Sequence, residues 1–234
     1  MKVIIPAAGL GRRFSAEGFQ SPKELLPLDG KPLIWHALAE GQRAGFQAAV
    51  VVVSLAKQSL VQYLSENASP LPIEVIVQPR ALGIGDAVVR CWEGEPIGVL
   101  LPDDVVFESN HWADLINLHR ESGAATLCLR PVAPETTNRF GIAECRGDRV
   151  ISLVEKPAPG TSSSNLAIFG RYVVTSPVVA GLSDLRTEGE VELTHGFAAA
   201  IATPEGVRAV VFTGRSYDCG TPAEYALSSA SFTD

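Results

Sequence analysis

At 234 residues, with 46% hydrophobic and 19% charged side chains, the chain reads as an ordinary globular protein able to bury a sizeable core, neither disordered nor fibrous. A formal charge of −7 argues against a nucleic-acid backbone as partner, since phosphate contacts need clustered Lys and Arg, but it leaves room for a small anion held by a local basic loop. No apolar run approaches the roughly 20 residues of a membrane helix, and the opening "MKVIIPAAG" is too short for a signal peptide, so a cytoplasmic protein without a membrane partner is expected.

In chain order, the apolar run at 3–5 reads as a buried strand, and 32–45 places Leu33, Ile34, Ala37, Leu38 and Gly41 at helical spacing before a stop at Gly45. The β-branched stretch 48–54 predicts a second buried strand and 55–67 a helix. Further strands are expected at 73–78, 97–102 and 125–131, with helices near 84–93 and 109–122 between them. This alternation is that of an α/β protein with a largely parallel sheet covered by helices. After about residue 131 the rhythm changes. Strands at 139–145, 149–156 and 165–174 follow one another with turn signals "CRGD" and "PAPGTSSS" between them, which suggests antiparallel strands added to one edge. Helices near 175–183 and 190–202 and a strand at 208–213 complete the pattern. A single Rossmann-like domain is expected, with a mixed, mostly parallel central sheet and two halves, about 1–131 and about 132–234. Cys91, Cys128, Cys145 and Cys219 form no CxxC pair, so four reduced thiols are expected rather than a zinc or disulfide framework.

The stretch "IIPAAGLGRRF" (4–14) raises the question of an anion site. A strand feeding a loop with Gly9 and Gly11 can aim backbone N–H groups at a phosphate, and glycine lets a ligand approach the chain closely. A dinucleotide fingerprint would need a third glycine where Phe14 stands and an acid near Ser54, and neither is present. No GxxxxGK[ST] occurs, so a Walker A loop is excluded as well. Arg12 and Arg13 directly behind the loop, with Lys23 further on, suit a polyphosphate better than one carboxylate.

These residues also carry a family resemblance. "PAAGLGRRF", "PKELLPL" and "KPLI", followed by "QPRALGIGDAV", "LLPDD", "FGIAE", "EKP", "SNLAIFGRYV" and "DCGTPAEY", resemble the sugar-1-phosphate nucleotidylyltransferases over nearly the whole chain. Within them the order of segments is similar to the bacterial UTP–glucose-1-phosphate uridylyltransferases (UDP-glucose pyrophosphorylases), with the glucose-1-phosphate thymidylyltransferases as close relatives. The resemblance implies magnesium-dependent transfer of a nucleotidyl group from UTP to glucose-1-phosphate, giving UDP-glucose and pyrophosphate. The first half would hold the nucleotide and the second the sugar. A thymidylyltransferase, another sugar-1-phosphate transferase, and a non-catalytic sugar-nucleotide sensor remain as alternatives, and a homo-oligomer is allowed.

By the same resemblance, Arg13, Lys23 and Asp103 are the expected catalytic residues. Asp103 and Asp218 are the expected Mg2+ ligands, with Asp104 as the rival of Asp103. Backbone at Ala7, Ala8, Gly9 and Gly11, together with Gln78 and Gly83, would hold the nucleotide. Gly141, Glu155, Lys156, Asn165 and Ile168 would surround the sugar phosphate. The attacking phosphate oxygen is already ionised at neutral pH, so no general base is called for, and the four histidines show no triad or metal spacing. Three departures from the family pattern stand out: Ala16 stands in place of a proline within an atypical stretch at 15–21, His195 stands where relatives carry an acid, and the chain is shorter than typical relatives, with little expected after Tyr225 to supply helices for association.

Overall fold

The computed structural model of the chain describes residues 1–183 and 189–232. Its strands and helices are β1 (Val3–Ala7), α1 (Arg12–Ala16), β2 (Pro27–Leu28), β3 (Lys31–Pro32), α2 (Leu33–Arg43), β4 (Ala49–Ser54), α3 (Gln58–Glu66), β5 (Ile73–Gln78), α4 (Gly83–Cys91), β6 (Ile97–Leu100) and β7 (Asp104–Val105). There follow α5 (His111–Ser122), β8 (Ala125–Pro131), β9 (Gly141–Arg146), β10 (Arg149–Glu155), β11 (Leu166–Val174), α6 (Ser176–Ser183), α7 (Leu193–Ala200), β12 (Val207–Val211), β13 (Tyr217–Asp218) and α8 (Pro222–Ala230). Short 3-10 turns lie at Lys23–Leu25 and Pro134–Arg139. The α/β class with a mixed sheet is the one expected.

The chain forms two units, each assembled from separate stretches. The first comprises Met1–Ala81, Leu100–Ser109 and Gly214–Asp234, and the second Leu82–Val99 and Asn110–Thr213. In the first, β1 and β5 both run parallel to β4. Every residue of β4 is buried, which is why its sequence, AVVVVS, is apolar on both faces rather than alternating. Helix α2 buries Leu33, Ile34, Ala37, Leu38 and Gly41. A two-stranded ribbon pairs β7 with β13. It rests on a small core of Leu28, Leu33, Val105 and Cys219, with Phe107, Tyr217, Tyr225 and Phe232 packed against it.

The stretch at 15–21 is well anchored. Phe19 folds back so that its N–H donates to the Phe14 carbonyl at 3.1 Å, and the two rings meet edge to face at 5.3 Å. Both rings also meet Tyr225, whose hydroxyl donates to Pro27 O at 2.7 Å. The route from Arg13 to Lys23 is thereby fixed by aromatic packing.

In the second unit the strand order is β6-β11-β8-β12-β10-β9. Here β11 runs antiparallel to β8, β12 parallel to β8, and β10 antiparallel to both β12 and β9. The expectation that all three strands after residue 131 join one edge is therefore corrected: β9 and β10 do, whereas β11 lies inside the sheet between β6 and β8. Its nine residues are almost wholly buried, as an interior strand requires. Helices α6 and α7 approach closely: a Cβ at Gly196 would lie 2.5 Å from Val178 O, and one at Gly181 2.6 Å from Ala199 Cβ. All four cysteines are free, and three of them are buried. Among the described residues no helix is long and apolar enough to cross a membrane.

Candidate active site

In the first unit, β1 ends at Ala7, and Ala7 and Ala8 are buried while Leu10 is half exposed. Gly11 caps α1 in the left-handed region, with φ +62°, a conformation natural to glycine. A Cβ at Gly9 or Gly11 would meet no protein atom within 4 Å, so the loop lies open. Arg12 and Arg13 follow it and are exposed.

Lys23 opens a 3-10 turn and forms an ion pair with Asp103 Oδ2. Burial pulls the Lys23 ammonium down, but the Asp103 and Glu24 carboxylates more than offset it and hold it above its ordinary value of 10.5, with Arg13 acting against them. The next residue, Glu24, is buried and receives both of its oxygens' hydrogen bonds from Lys57 Nζ, at 2.7 and 2.8 Å. The third Lys57 donor goes to Ala7 O at 2.7 Å. Burial holds the Lys57 ammonium below its ordinary value even with Glu24 beside it.

The acids meet at the β7–β13 ribbon. Cys219 N–H donates to Asp103 O at 2.7 Å, and Asp104 stands directly opposite Asp218 in the ladder. Side chains alternate along a strand, so Asp104 and Asp218 share the face turned away from Val105 and Tyr217. Asp103, in the turn that enters β7, and Asp218, on β13, are thus brought near each other from distant points in the sequence, although the register makes Asp104 the direct partner of Asp218. Asp218 Oδ1 accepts from its own turn, Gly220 N–H, at 2.9 Å. Among the described residues no group of three or more His, Cys, Asp and Glu is arranged to hold a metal. The donor set fits magnesium on other grounds: the ion takes one or two carboxylates and completes its shell with phosphate oxygens and water. Gln78 ends β5 opposite Ser54 and is 3% exposed.

The second unit gathers the remaining residues. Gly141 and Glu155 are register partners in the β9–β10 ladder. A Cβ at Gly141 would lie 2.9 Å from Ile168 Cδ1, 3.0 Å from Glu155 Oε2 and 3.2 Å from Thr194 Oγ1. Thr194 Oγ1 donates to Glu155 Oε2 at 2.6 Å, and Lys156 Nζ contacts Glu155 Oε1 at 3.0 Å and Glu192 Oε1 at 2.9 Å. Burial lowers and these carboxylates raise the Lys156 ammonium, which ends above its ordinary value. Asn165 Nδ2 donates to Val132 O at 3.0 Å. Gly141, Glu155, Lys156 and Ile168 are therefore one cluster, and Asn165 is tied to backbone beside it. Gly83 opens α4 at φ +83°, and a Cβ there would lie 2.5 Å from Val191 O. Gly85 N–H and Val191 N–H, donating to Val191 O and Leu82 O at 2.8 Å each, stitch this turn to the segment that precedes Glu192. His195 is exposed one turn into α7.

The sequence reading passed over Glu24, Lys57, Glu192 and Thr194. Lys57 was open to discovery, because it follows the carboxyl end of β4, where ligands of open α/β sheets bind. Thr194, a hydroxyl in an apolar helix, gave no such sign.

A family model described as "Nucleotidyl transferase" matches residues 2–233. The UTP–glucose-1-phosphate uridylyltransferase of Staphylococcus haemolyticus (strain JCSC1435) is 33% identical over 277 aligned positions, covering 100% of this chain and 94% of that protein. A second such enzyme, from Staphylococcus saprophyticus, has the same identity and coverage. Among solved structures, a UDP-glucose pyrophosphorylase complexed with UDP-glucose superposes with a TM-score of 0.85 at 29% identity, over 99% of this chain and 98% of that one. A putative glucose-1-phosphate thymidylyltransferase from Bacillus anthracis has a TM-score of 0.86 at 24% identity, over 100% and 96%, a likeness of fold. The motifs from Gly9 to Asp218, the mixed α/β fold and a match over nearly its full length establish the chain as a member of the nucleotidyl transferase family, an enzyme akin to the UTP–glucose-1-phosphate uridylyltransferases.

Proposed function

We propose that the enzyme transfers a uridylyl group from UTP to glucose-1-phosphate, releasing pyrophosphate and forming UDP-glucose. The observation that carries this reading is that one unit holds an open glycine loop, the Lys23–Asp103 ion pair, and Asp218 on a strand whose next residue, Cys219, is hydrogen-bonded to the Asp103 carbonyl. The sugar phosphate oxygen attacks the α-phosphorus as a ready-made anion, so the protein's task is alignment and charge neutralisation rather than proton removal. Backbone N–H groups from Ala8 to Gly11 receive the triphosphate. Gly9 supports this, since no protein atom near it and no left-handed φ requires glycine, whereas close approach of a ligand does. Arg13 and Lys23 neutralise charge that grows on the phosphates as the bonds change. Asp103 and Asp218 would hold Mg2+, which would supply Lewis-acid neutralisation of phosphate charge when bound.

Gln78, with the backbone of Ala7 and Ala8, receives the uracil; Gly83, expected by the same resemblance to contact the nucleotide, belongs to the second unit. The Gln78 amide offers an acceptor to N3–H and a donor to a carbonyl, a pattern cytosine does not complement. In the second unit Glu155 accepts hydrogen bonds from sugar hydroxyls, Lys156 pairs with the sugar phosphate, and Gly141, Ile168 and Asn165 line the hexose. The choice of UTP and glucose follows the names of the full-length relatives.

Pyrophosphate release across UTP, dTTP, CTP and purine triphosphates, each combined with several hexose-1-phosphates and Mg2+, tests the reading. UTP with glucose-1-phosphate should give the highest kcat/KM. A faster reaction with dTTP, or with another hexose, would replace the assignment. No release with any pair would favour a sensor.

A further inference from the structure

We propose that Lys57 is a positioning residue of nucleotidyl transfer: its ammonium clamps the end of β1, where the glycine loop begins, to the turn that carries Lys23. The proposal rests on reading that loop and Lys23 as triphosphate contacts. Nothing in the reaction as described above uses Lys57 or Glu24, yet both are buried, at 6% and 1% exposure. An ammonium has three N–H donors, and all three are spent: two on Glu24 and one on the Ala7 carbonyl, each within 2.8 Å.

Each attachment point is itself held. Ala7 is paired with Val53 across the β1–β4 ladder. The Lys57 N–H donates to Ser54 O at 3.1 Å, and its carbonyl accepts from Leu60 and Val61 N–H at the start of α3. Glu24 sits within a turn closed by Leu25 N–H on Pro22 O and Leu26 N–H on Lys23 O, both at 2.9 Å. Residues 7, 24 and 57 thus meet at one nitrogen with little slack. A shift of Glu24 carries Lys23, its neighbour, with it; a shift of Ala7 carries the loop. Apolar side chains of like volume would fill the same space without the burial of charge. What the ion pair adds is a fixed separation between two groups that must grip one polyphosphate. Displacing such a group by about 1 Å is enough to cost on the order of 100-fold in rate.

The test is the kcat and KM of a Lys57→Met/Glu24→Gln double variant, which removes both charges and strands neither. The substrate pair is whichever the unmodified enzyme turns over fastest, so an error in the base or sugar assigned above changes the pair and leaves the test intact. With circular dichroism showing the fold kept, kcat should fall by about ten-fold or more while KM for the triphosphate stays within about three-fold. A folded double variant that keeps more than about a tenth of kcat, or whose loss lies in KM, overturns the proposal. Should the double variant not fold, Glu24→Gln alone decides by the same split. It keeps the shape and weakens the clamp, so a kcat-selective loss supports the proposal and an unchanged kcat contradicts it.

Discussion

Asp104 and Asp218 face each other across a two-residue ladder, and like charges so placed repel. A divalent cation bound at this ribbon, as proposed, would relieve that repulsion. Next to them Cys219 is buried and its thiol is pushed up to about 12, first by burial and then by the Asp218 carboxylate. It is therefore a packing residue and not a nucleophile. Alkylation at about pH 8.5, followed by mass spectrometry, should leave Cys219 unmodified in the folded protein while unfolded chain reacts at all four thiols. Labelling of Cys219 at the unfolded rate would mean the ribbon opens readily.

The raised Lys23 value has a pH consequence of definite sign. Its ion pair with Asp103 favours the charged form in the folded state, so its contribution to stability is complete below the unfolded value of 10.5 and is lost only as pH rises through the higher folded value. The kcat profile between about pH 7 and 9 should show no limb from Lys23. A limb there that Lys23→Arg moves upward would contradict the pairing. At the base, Gln78→Ala should lower kcat/KM for UTP by about ten-fold and narrow its advantage over CTP, because a site made to pair with N3–H penalises a base lacking it. Equal losses for both nucleotides would reduce Gln78 to a support for its strand end.

Among the elements, the positions of Gly83 and Gly141 leave no room for a side chain. Gly83→Ala puts a methyl 2.5 Å from the Val191 carbonyl at φ +83°, so it should destabilise the fold by about 1–3 kcal/mol, measured by chemical denaturation. Gly141→Ala presses instead on the movable ends of Ile168 and Glu155. It should raise KM for the sugar phosphate several-fold, on the order of 1 kcal/mol, with KM for the triphosphate unchanged. Equal changes in both constants would place Gly141 outside the sugar site. Lys57→Met alone leaves Glu24 buried and unpaired, and is expected to cost about 3–5 kcal/mol.

The elements read most accurately from sequence were those whose burial is written locally. The apolar runs behind β4 and β8 matched to within a residue or so, because a strand buried on both faces has no other composition; β5 matched as well, although it is an edge strand with Val75 and Val77 exposed. Strand order is a different matter. That β11 lies inside the sheet depends on contacts with β6 and β8, which no local pattern records. The two-residue ribbons β2–β3 and β7–β13 exist only through their partners. Helix α8 was legible and overlooked: Thr221 accepts from Glu224 N–H at 3.2 Å and donates to the Glu224 carboxylate at 2.8 Å, with Pro222 opening the helix.

At the scale of the whole molecule, the residues of the proposed site are divided between the two units. The first holds the glycine loop, Lys23, Gln78 and the three acids, whereas the second holds Gly83 and the cluster around Glu155 and Lys156. The assignment of Asp103 and Asp218 as partners came from the family pattern and not from spacing. Asp103 lies in the turn before β7 and Asp218 on β13, while the ladder register gives Asp104 a structural claim of its own. Turnover in three single variants separates these acids. Pyrophosphate release from UTP and glucose-1-phosphate with Mg2+ should fall by about 100-fold or more in both Asp103→Asn and Asp218→Asn, with the fold intact, and by less than about ten-fold in Asp104→Asn. Loss in Asp104→Asn with turnover kept in Asp103→Asn would contradict the site as assigned.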